Sequence, residues 1–244
     1  VQTCALPISF LGAWIELKAQ PMNAETEAYV AMAGPLAGIL SDRHGARWYA
    51  VGGMTLVAVT FENEPYVRAT LGRGDGVALR LRALLELQLR DQYLPHGAVD
   101  VAYEGDELVG AGLWAPSDAD AGPVLSRLAR VPSYLRVFGR RLPTAIRVER
   151  ESVRRQPRFP HWYLSMLAVS PDHQGKGIGA QLLEYRLARI PADRPVYLEA
   201  STPGSARLYA RHGFVDMGAV PIGDEPPMRA MWRPATAFSA PRSS

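Results

Sequence analysis

The chain has 244 residues, 48% of them hydrophobic, enough for one large domain with a real core. Its net charge of +3 is too small to argue by itself for a nucleic-acid partner. Cys4 is the only cysteine, which excludes an internal disulfide and a cysteine-rich metal site and fits a reducing cytoplasm.

The first eight residues, VQTCALPI, resemble the translation of a sequencing adapter joined to environmental DNA, so no fold argument is expected to rest on them. Residues 9–53 carry two short, overlapping resemblances. IELKAQPMNAETEAYVAMAGPLAG is similar to a fragment of a site-2-protease-like membrane metalloprotease, and GPLAGILSDRHGARWYAVGGMTLVA to a major-facilitator transporter. Neither brings its chemistry. The five histidines, His44, His96, His161, His173 and His212, include no pair four apart, so H-E-x-x-H is absent. The longest apolar run, Tyr49–Phe61, falls short of the roughly 20 residues that span a bilayer, and it contains Gly52 and Gly53. No spanning segment is expected. Residues 1–53 are read as an artefactual join or a divergent N-terminus that supplies a first strand.

From Met54 the pattern becomes coherent. Leu81, Leu84, Leu85, Leu89 and Tyr93 recur at helical spacing over Val77–Tyr93, and Pro95 and Gly97 stop that helix. Val99–Trp114 reads as a hairpin turning at Glu104-Gly105-Asp106. Ala115–Asp120 is a loop. Pro123–Arg155 reads as helices and is strongly basic, with Arg140, Arg141, Arg147, Arg150, Arg154 and Arg155, then Arg158 beyond. A solvated helix face accounts for most of these arginines, and nucleic-acid binding lacks interleaved aromatics. Pro157 and Pro160 fix an extended approach to His161, which either lines a site or packs beside Trp162.

The stretch Trp162–Ile190 organises the rest. Tyr163–Val169 is a buried strand, Gln174–Gly179 spells Q-G-K-G-I-G, and Ile178, Leu182, Leu183, Leu187 and Ile190 form one apolar helix face. Gly175, Gly177 and Gly179 allow positive φ and carry no Cβ, so a ligand can approach the backbone. The helix that follows begins with unpaired N–H groups and a positive dipole end, an anion site suited to phosphate, and Lys176 adds a mobile charge. The spacing excludes a P-loop, because Gly177 follows Lys176, and the G-x-G-x-x-G dinucleotide loop. A glycine-rich βα turn without a ligand is the plain alternative. Beyond it lie a strand at Pro195–Ala200, a turn at Ser201–Gly204, a helix at Ser205–His212 capped by Gly213, a strand at Met228–Trp232 and a loose tail, Pro234–Ser244.

The loop resembles the acetyl-CoA signature of the GNAT N-acetyltransferases, Q/R-x-x-G-x-G/A, at Gln174, Gly177 and Gly179, with LAVSPDH as the strand and turn leading in. SARLYARHGF is similar to the second signature at Ala206, Leu208, Tyr209, Gly213 and Phe214, with the alanine shifted by one; Thr202 stands where asparagine is usual. FENEPYVRATLG is similar to the end of the first GNAT helix. The resemblance covers Met54–Arg233. It implies an α/β fold, a mixed twisted sheet flanked by helices, with acetyl-CoA wedged where two parallel strands splay. It implies that Leu167, Ala168 and Val169 hold the pantetheine arm, one of their N–H groups serving the oxyanion, and that Gln174, Gly175, Lys176, Gly177, Ile178 and Gly179 hold the pyrophosphate. Tyr209 becomes the candidate acid for the departing thiol. Glu199 and Glu104 are candidates for a base acting through water, or equally are plain surface carboxylates. The expected reaction is acetyl transfer to a small-molecule or peptide amine, with no metal, nucleic acid or membrane, and with room for a homodimer. The basic helices then read as a lid or as a solvated face. A non-catalytic module that binds CoA or a small molecule is the alternative.

Overall fold

A computed structural model of the chain describes residues 3–4, 29–32, 64–74, 76–105, 107–119 and 124–236. Its strands are β1 (Thr3–Cys4), β2 (Tyr29–Met32), β3 (Ala98–Glu104), β4 (Glu107–Pro116), β5 (Trp162–Val169), β6 (Val196–Ala200), β7 (Val215–Ile222) and β8 (Glu225–Arg233). The helices are α1 (Pro65–Leu71), α2 (Val77–Gln88), α3 (Val124–Phe138), α4 (Leu142–Val153), α5 (Ile178–Leu187) and α6 (Pro203–Arg211). All strands join one sheet in the order β2-β3-β4-β5-β1-β6-β8-β7. The β2–β3 and β5–β6 pairs are parallel and the others antiparallel, so the sheet is mixed, as the resemblance implied.

Alternation along the strands divides the core. Tyr163, Met166, Ala168 and Tyr197 turn to the face covered by α1–α4. Leu164, Leu167, Val169 and Leu198 turn to the face covered by α5 and α6. Each fully buried leucine here contributes roughly 1.5–3 kcal/mol, so both faces are firmly held. The position of α5 is fixed twice. Arg186 binds Asp100 on β3 through two contacts, Nε to Oδ2 at 2.9 Å and Nη2 to Oδ1, and both side chains are buried. At Gly110 a Cβ would meet Leu182 Cδ1 at 2.9 Å, so α5 rests on the backbone of β4.

Several elements depart from the sequence reading. The helix over Val77–Tyr93 is α-helical only to Gln88, then widens to a π turn over Leu89–Tyr93 before a single turn containing Pro95. The basic stretch divides at a 3-10 turn, Gly139–Arg141, where Gly139 takes φ +52°. β7 was not anticipated. It is an edge strand with register shifts at Asp216/Gly218 and Val220/Ile222, and Pro221 falls in the second, the place a sheet tolerates proline. β8 begins at Glu225, three residues before Met228. The α6 helix starts at Pro203, because the Thr202 side chain and Ser205 form a reciprocal capping box. Thr3–Cys4 lies within the sheet as β1, although no fold argument was expected to rest on the adapter-like segment. The membrane-fragment reading of residues 9–53 lies outside the described residues except for Tyr29–Met32, which pairs with β3 as an edge strand. Among the described residues no helix is long and apolar enough to cross a membrane.

Candidate active site

The site begins where two parallel strands separate. β5 and β6 pair only at Trp162↔Val196, Tyr163↔Tyr197 and Leu164↔Leu198. The next residue, Ser165, is a bulge against β4, since Leu113 faces Met166 and Trp114 faces Leu164. An extra residue bends a strand and raises its twist, so the bulge turns β5 away from β6 at that point. The Tyr93 hydroxyl, carried by the π turn, donates to Ser165 Oγ at 2.6 Å and holds the bulge from the α2 side.

Beyond the bulge β5 and β6 no longer pair with each other, and the notch lies between them. Ser170 N–H donates to Val109, so alternate residues Ala168 and Met166 turn their backbone groups to β4, while Leu167 and Val169 turn theirs to the notch. The sequence reading grouped Leu167, Ala168 and Val169; the ladder opens the first and last to a ligand and closes Ala168. β1 demonstrates what fits: Thr3 pairs with Leu167 and Ala200, and Cys4 with Met166. The notch thus accepts an extended chain with peptide-like groups.

Past Val169 the chain makes one 3-10 turn, Pro171–His173, and enters the glycine loop. Gln174 Nε2 donates to the Val169 carbonyl at 3.2 Å, tying the loop to the end of β5. Gly175 takes φ +82° and Gly177 φ +85°, and nothing stands within 4 Å of where either Cβ would lie. Gly179 differs from the expectation: it sits buried in the first turn of α5, where the missing side chain serves packing rather than a turn. Gly177 caps α5 without any side-chain hydrogen bond, so the first N–H groups are left for an anion. Lys176 is half exposed, 3.7 Å from Glu104, which also meets His173 Nε2 at 2.9 Å. Glu104 therefore belongs to the phosphate end and is not brought to Glu199.

Glu199 follows Leu198 directly, so it stands where β6 leaves β5, and it is fully buried. Its Oε1 accepts from Ser152 Oγ at 2.6 Å and from the Tyr197 hydroxyl at 3.0 Å. Its Oε2 has no hydrogen-bond partner among the described residues. Burial pushes its pKa up to about 7; Ser152, Tyr197, the Arg155 charge and Tyr163 partly oppose that rise. A surface carboxylate was the plain reading, and the structure excludes it. Tyr163 stacks on Tyr197 with centroids 5.9 Å apart, and Tyr66 donates to Glu149 at 2.9 Å on the same face. His161 is buried beside Tyr197 and Trp232. Its Nδ1 lies 2.8 Å from the Phe159 carbonyl, which marks that nitrogen as the donor, and burial lowers its pKa.

Tyr209 projects from α6 on the opposite face. It is fully buried, edge-on to Phe214 at 5.8 Å, and its hydroxyl has no partner among the described residues. Burial, with the charge of Glu64 nearby, raises its pKa well above the phenol range, so it holds its proton. Glu64 is buried at the start of α1 with a raised pKa, and α1 packs against β1. The arginines Arg140, Arg141, Arg147, Arg150, Arg154, Arg155 and Arg158 are exposed, and Arg154 and Arg155 both pair with Glu151. Ser152 and Ser165 were not singled out from sequence, and Tyr93 only as part of an apolar helix face. Their partners lie 47 to 72 residues away, and no local pattern reveals them.

The acetyltransferase (GNAT) domain profile matches residues 95–216. A structure described as histone acetyltransferase HPA2 and related acetyltransferase, from Corynebacterium glutamicum, is 32% identical, covers 78% of this chain and 92% of its own, and superposes with a TM-score of 0.60. An agmatine N-acetyltransferase is 18% identical over 76% of this chain and 93% of its own, with a TM-score of 0.50. An N-acetyltransferase from Staphylococcus aureus is 16% identical over 73% and 92%, also with a TM-score of 0.50. The last two share the fold. The protein is an acyl-transferring enzyme of the N-acetyltransferase class. It belongs to the GNAT acetyltransferase family.

Proposed function

We propose that the chain moves the acetyl group of acetyl-CoA to the amine of a small molecule, with Glu199 as general base and Tyr209 as general acid. The observation that carries this is a buried carboxylate at the point where β6 leaves β5, with one oxygen left without a hydrogen bond among the described residues. The residues fit the donor. The open φ-positive glycines and the uncapped start of α5 suit the pyrophosphate, with Gln174, Lys176 and Ile178 around it. The notch-facing backbone of Leu167 and Val169 suits the amide-bearing pantetheine arm, which would take the place that Thr3 occupies beside Leu167. When bound, acetyl-CoA supplies an acyl group activated as a thioester.

The protein's own groups do the rest. Glu199 Oε2 takes a proton from the incoming amine through an intervening water, because the oxygen itself is buried, and a pKa near 7 leaves enough carboxylate at neutral pH to do so. The N–H of Leu167 or Val169 donates to the carbonyl oxygen as charge builds there. Tyr209 hands its proton to the departing sulfur, whose thiol has a reference pKa of about 8.5. Base and acid stand on opposite faces of the sheet, either side of the notch. The catalytic unit we assign is Met54–Arg233; β1 and β2 extend its sheet. The single cysteine accords with a reducing, cytoplasmic setting.

The test is thiol release from acetyl-CoA by the purified full chain against a panel of small amines and a basic peptide. Release that requires a small amine supports the reading. Tight acetyl-CoA binding with no release on any amine would favour a binding module.

A further inference from the structure

We propose that Ser152, contributed by α4, is a positioning residue for Glu199: it pins Oε1 and leaves Oε2 turned to the acceptor. The inference rests on the assignment of Glu199 as the base.

Ser152 is buried on the inner stripe of α4, with Ala145, Val148 and Glu149. A serine inside a helix ordinarily bonds back to the carbonyl one turn earlier. Here its hydroxyl reaches across to the sheet and donates to Glu199 Oε1 at 2.6 Å. The Tyr197 hydroxyl donates to the same oxygen at 3.0 Å. Two donors on one oxygen stop the carboxylate from rotating. The lone pairs of the other oxygen, which has no partner among the described residues, remain for a proton.

The groups facing this carboxylate come from three elements. Tyr197 lies on its own strand, Tyr163 on β5, and Ser152 and the Arg155 charge at the end of α4. Around Tyr163 stand Glu149 of α4 and Tyr66 of α1. Ser152 and Tyr197 donate to Oε1, Tyr163 adds a side-chain hydrogen bond to the carboxylate from β5, and Ser152 alone bonds it from outside the sheet. The helix pair between β4 and β5 therefore does more than cover the site, because a shift of α4 would release the base.

A donor to the ionised form lowers the carboxyl pKa, so its loss raises it. Ser152→Ala is the test, read by two measurements. One is the 13C NMR titration of the Glu199 carboxyl carbon, assigned by its disappearance in Glu199→Gln. The other is the acid limb of kcat/KM. Both are expected to move up by about one pH unit, the worth of one hydrogen bond to a charged group. Acetyl-CoA affinity should be unchanged, and the rates should converge with the parent at high pH. Ser152→Thr, which keeps the hydroxyl, should restore the parent profile. Ser152→Cys keeps the bulk with a weaker donor and should fall between, which secures the test if the alanine variant fails to fold. An unmoved Glu199 titration in folded Ser152→Ala or Ser152→Cys overturns the proposal. A moved titration with an unmoved acid limb overturns instead the assignment of Glu199 as base.

Discussion

Replacing Glu199 by glutamine should remove activity and yet stabilise the protein, in a pH-dependent way. The carboxyl is buried, and its folded pKa is about 7 against an ordinary value of 4.5. A carboxyl with a raised folded pKa adds stability below its unfolded pKa and loses it as pH rises through the folded one. The window here is therefore pH 4.5 to about 7. A difference of about 2.5 units is worth about 3 kcal/mol at 1.36 kcal/mol per unit. Glutamine keeps an acceptor for Ser152 and Tyr197 but never ionises. At pH 5 variant and parent should melt together. At pH 8 the variant should melt higher by about 6–12 °C, taking about 2–4 °C per kcal/mol for a domain of this size. Differential scanning calorimetry of both proteins at both pH values measures this directly. kcat/KM of the variant at pH 8 should fall by about 10²-fold or more. A melting difference that is the same at pH 5 and pH 8 would refute the claim that Glu199 is buried with a raised pKa.

Gly177→Glu puts a side chain at φ +85° and a negative charge at the start of α5, so acetyl-CoA binding by calorimetry should vanish while the circular dichroism spectrum is kept. Tyr209→Phe should lower kcat by about 10²-fold with unchanged acetyl-CoA affinity and an unchanged melt, because the hydroxyl has no partner to lose among the described residues. Turnover within a few-fold of the parent would make Tyr209 a packing residue. Arg186→Met leaves Asp100 charged and buried without its partner, and urea unfolding should report a loss of about 3–5 kcal/mol. A loss under about 1 kcal/mol would mean that the pair does not anchor α5.

The features legible in the sequence are those written locally. The glycine loop, the apolar strand before it and the helix after it are consecutive, so spacing alone places Gly175, Gly177 and α5. The second signature likewise locates α6, and Gly213 after it takes φ +84°. What spacing cannot show is long-range pairing. The Ser165 bulge depends on Tyr93 and on the register with β4, and Ser165 itself reads as an ordinary strand residue. The environment of Glu199 depends on a helix 47 residues upstream. Within PVYLEA the glutamate looks like the one polar residue of a buried strand, with nothing to tell a surface carboxylate from a buried one. β7 was hidden for a different reason. Gly218 and Pro221 are strand breakers in general, and only an edge position with bulges lets them stay.

The most direct test of the account is a crystal structure of the full chain with acetyl-CoA. The pyrophosphate should lie on the backbone of Gly175–Gly179 and the pantetheine arm along Leu167 and Val169, with Thr3–Cys4 displaced from between β5 and β6. The thioester should then face Glu199 Oε2 on one side of the sheet and the Tyr209 hydroxyl on the other. Acetyl-CoA bound elsewhere, or bound with Thr3–Cys4 still paired to both strands, would contradict it.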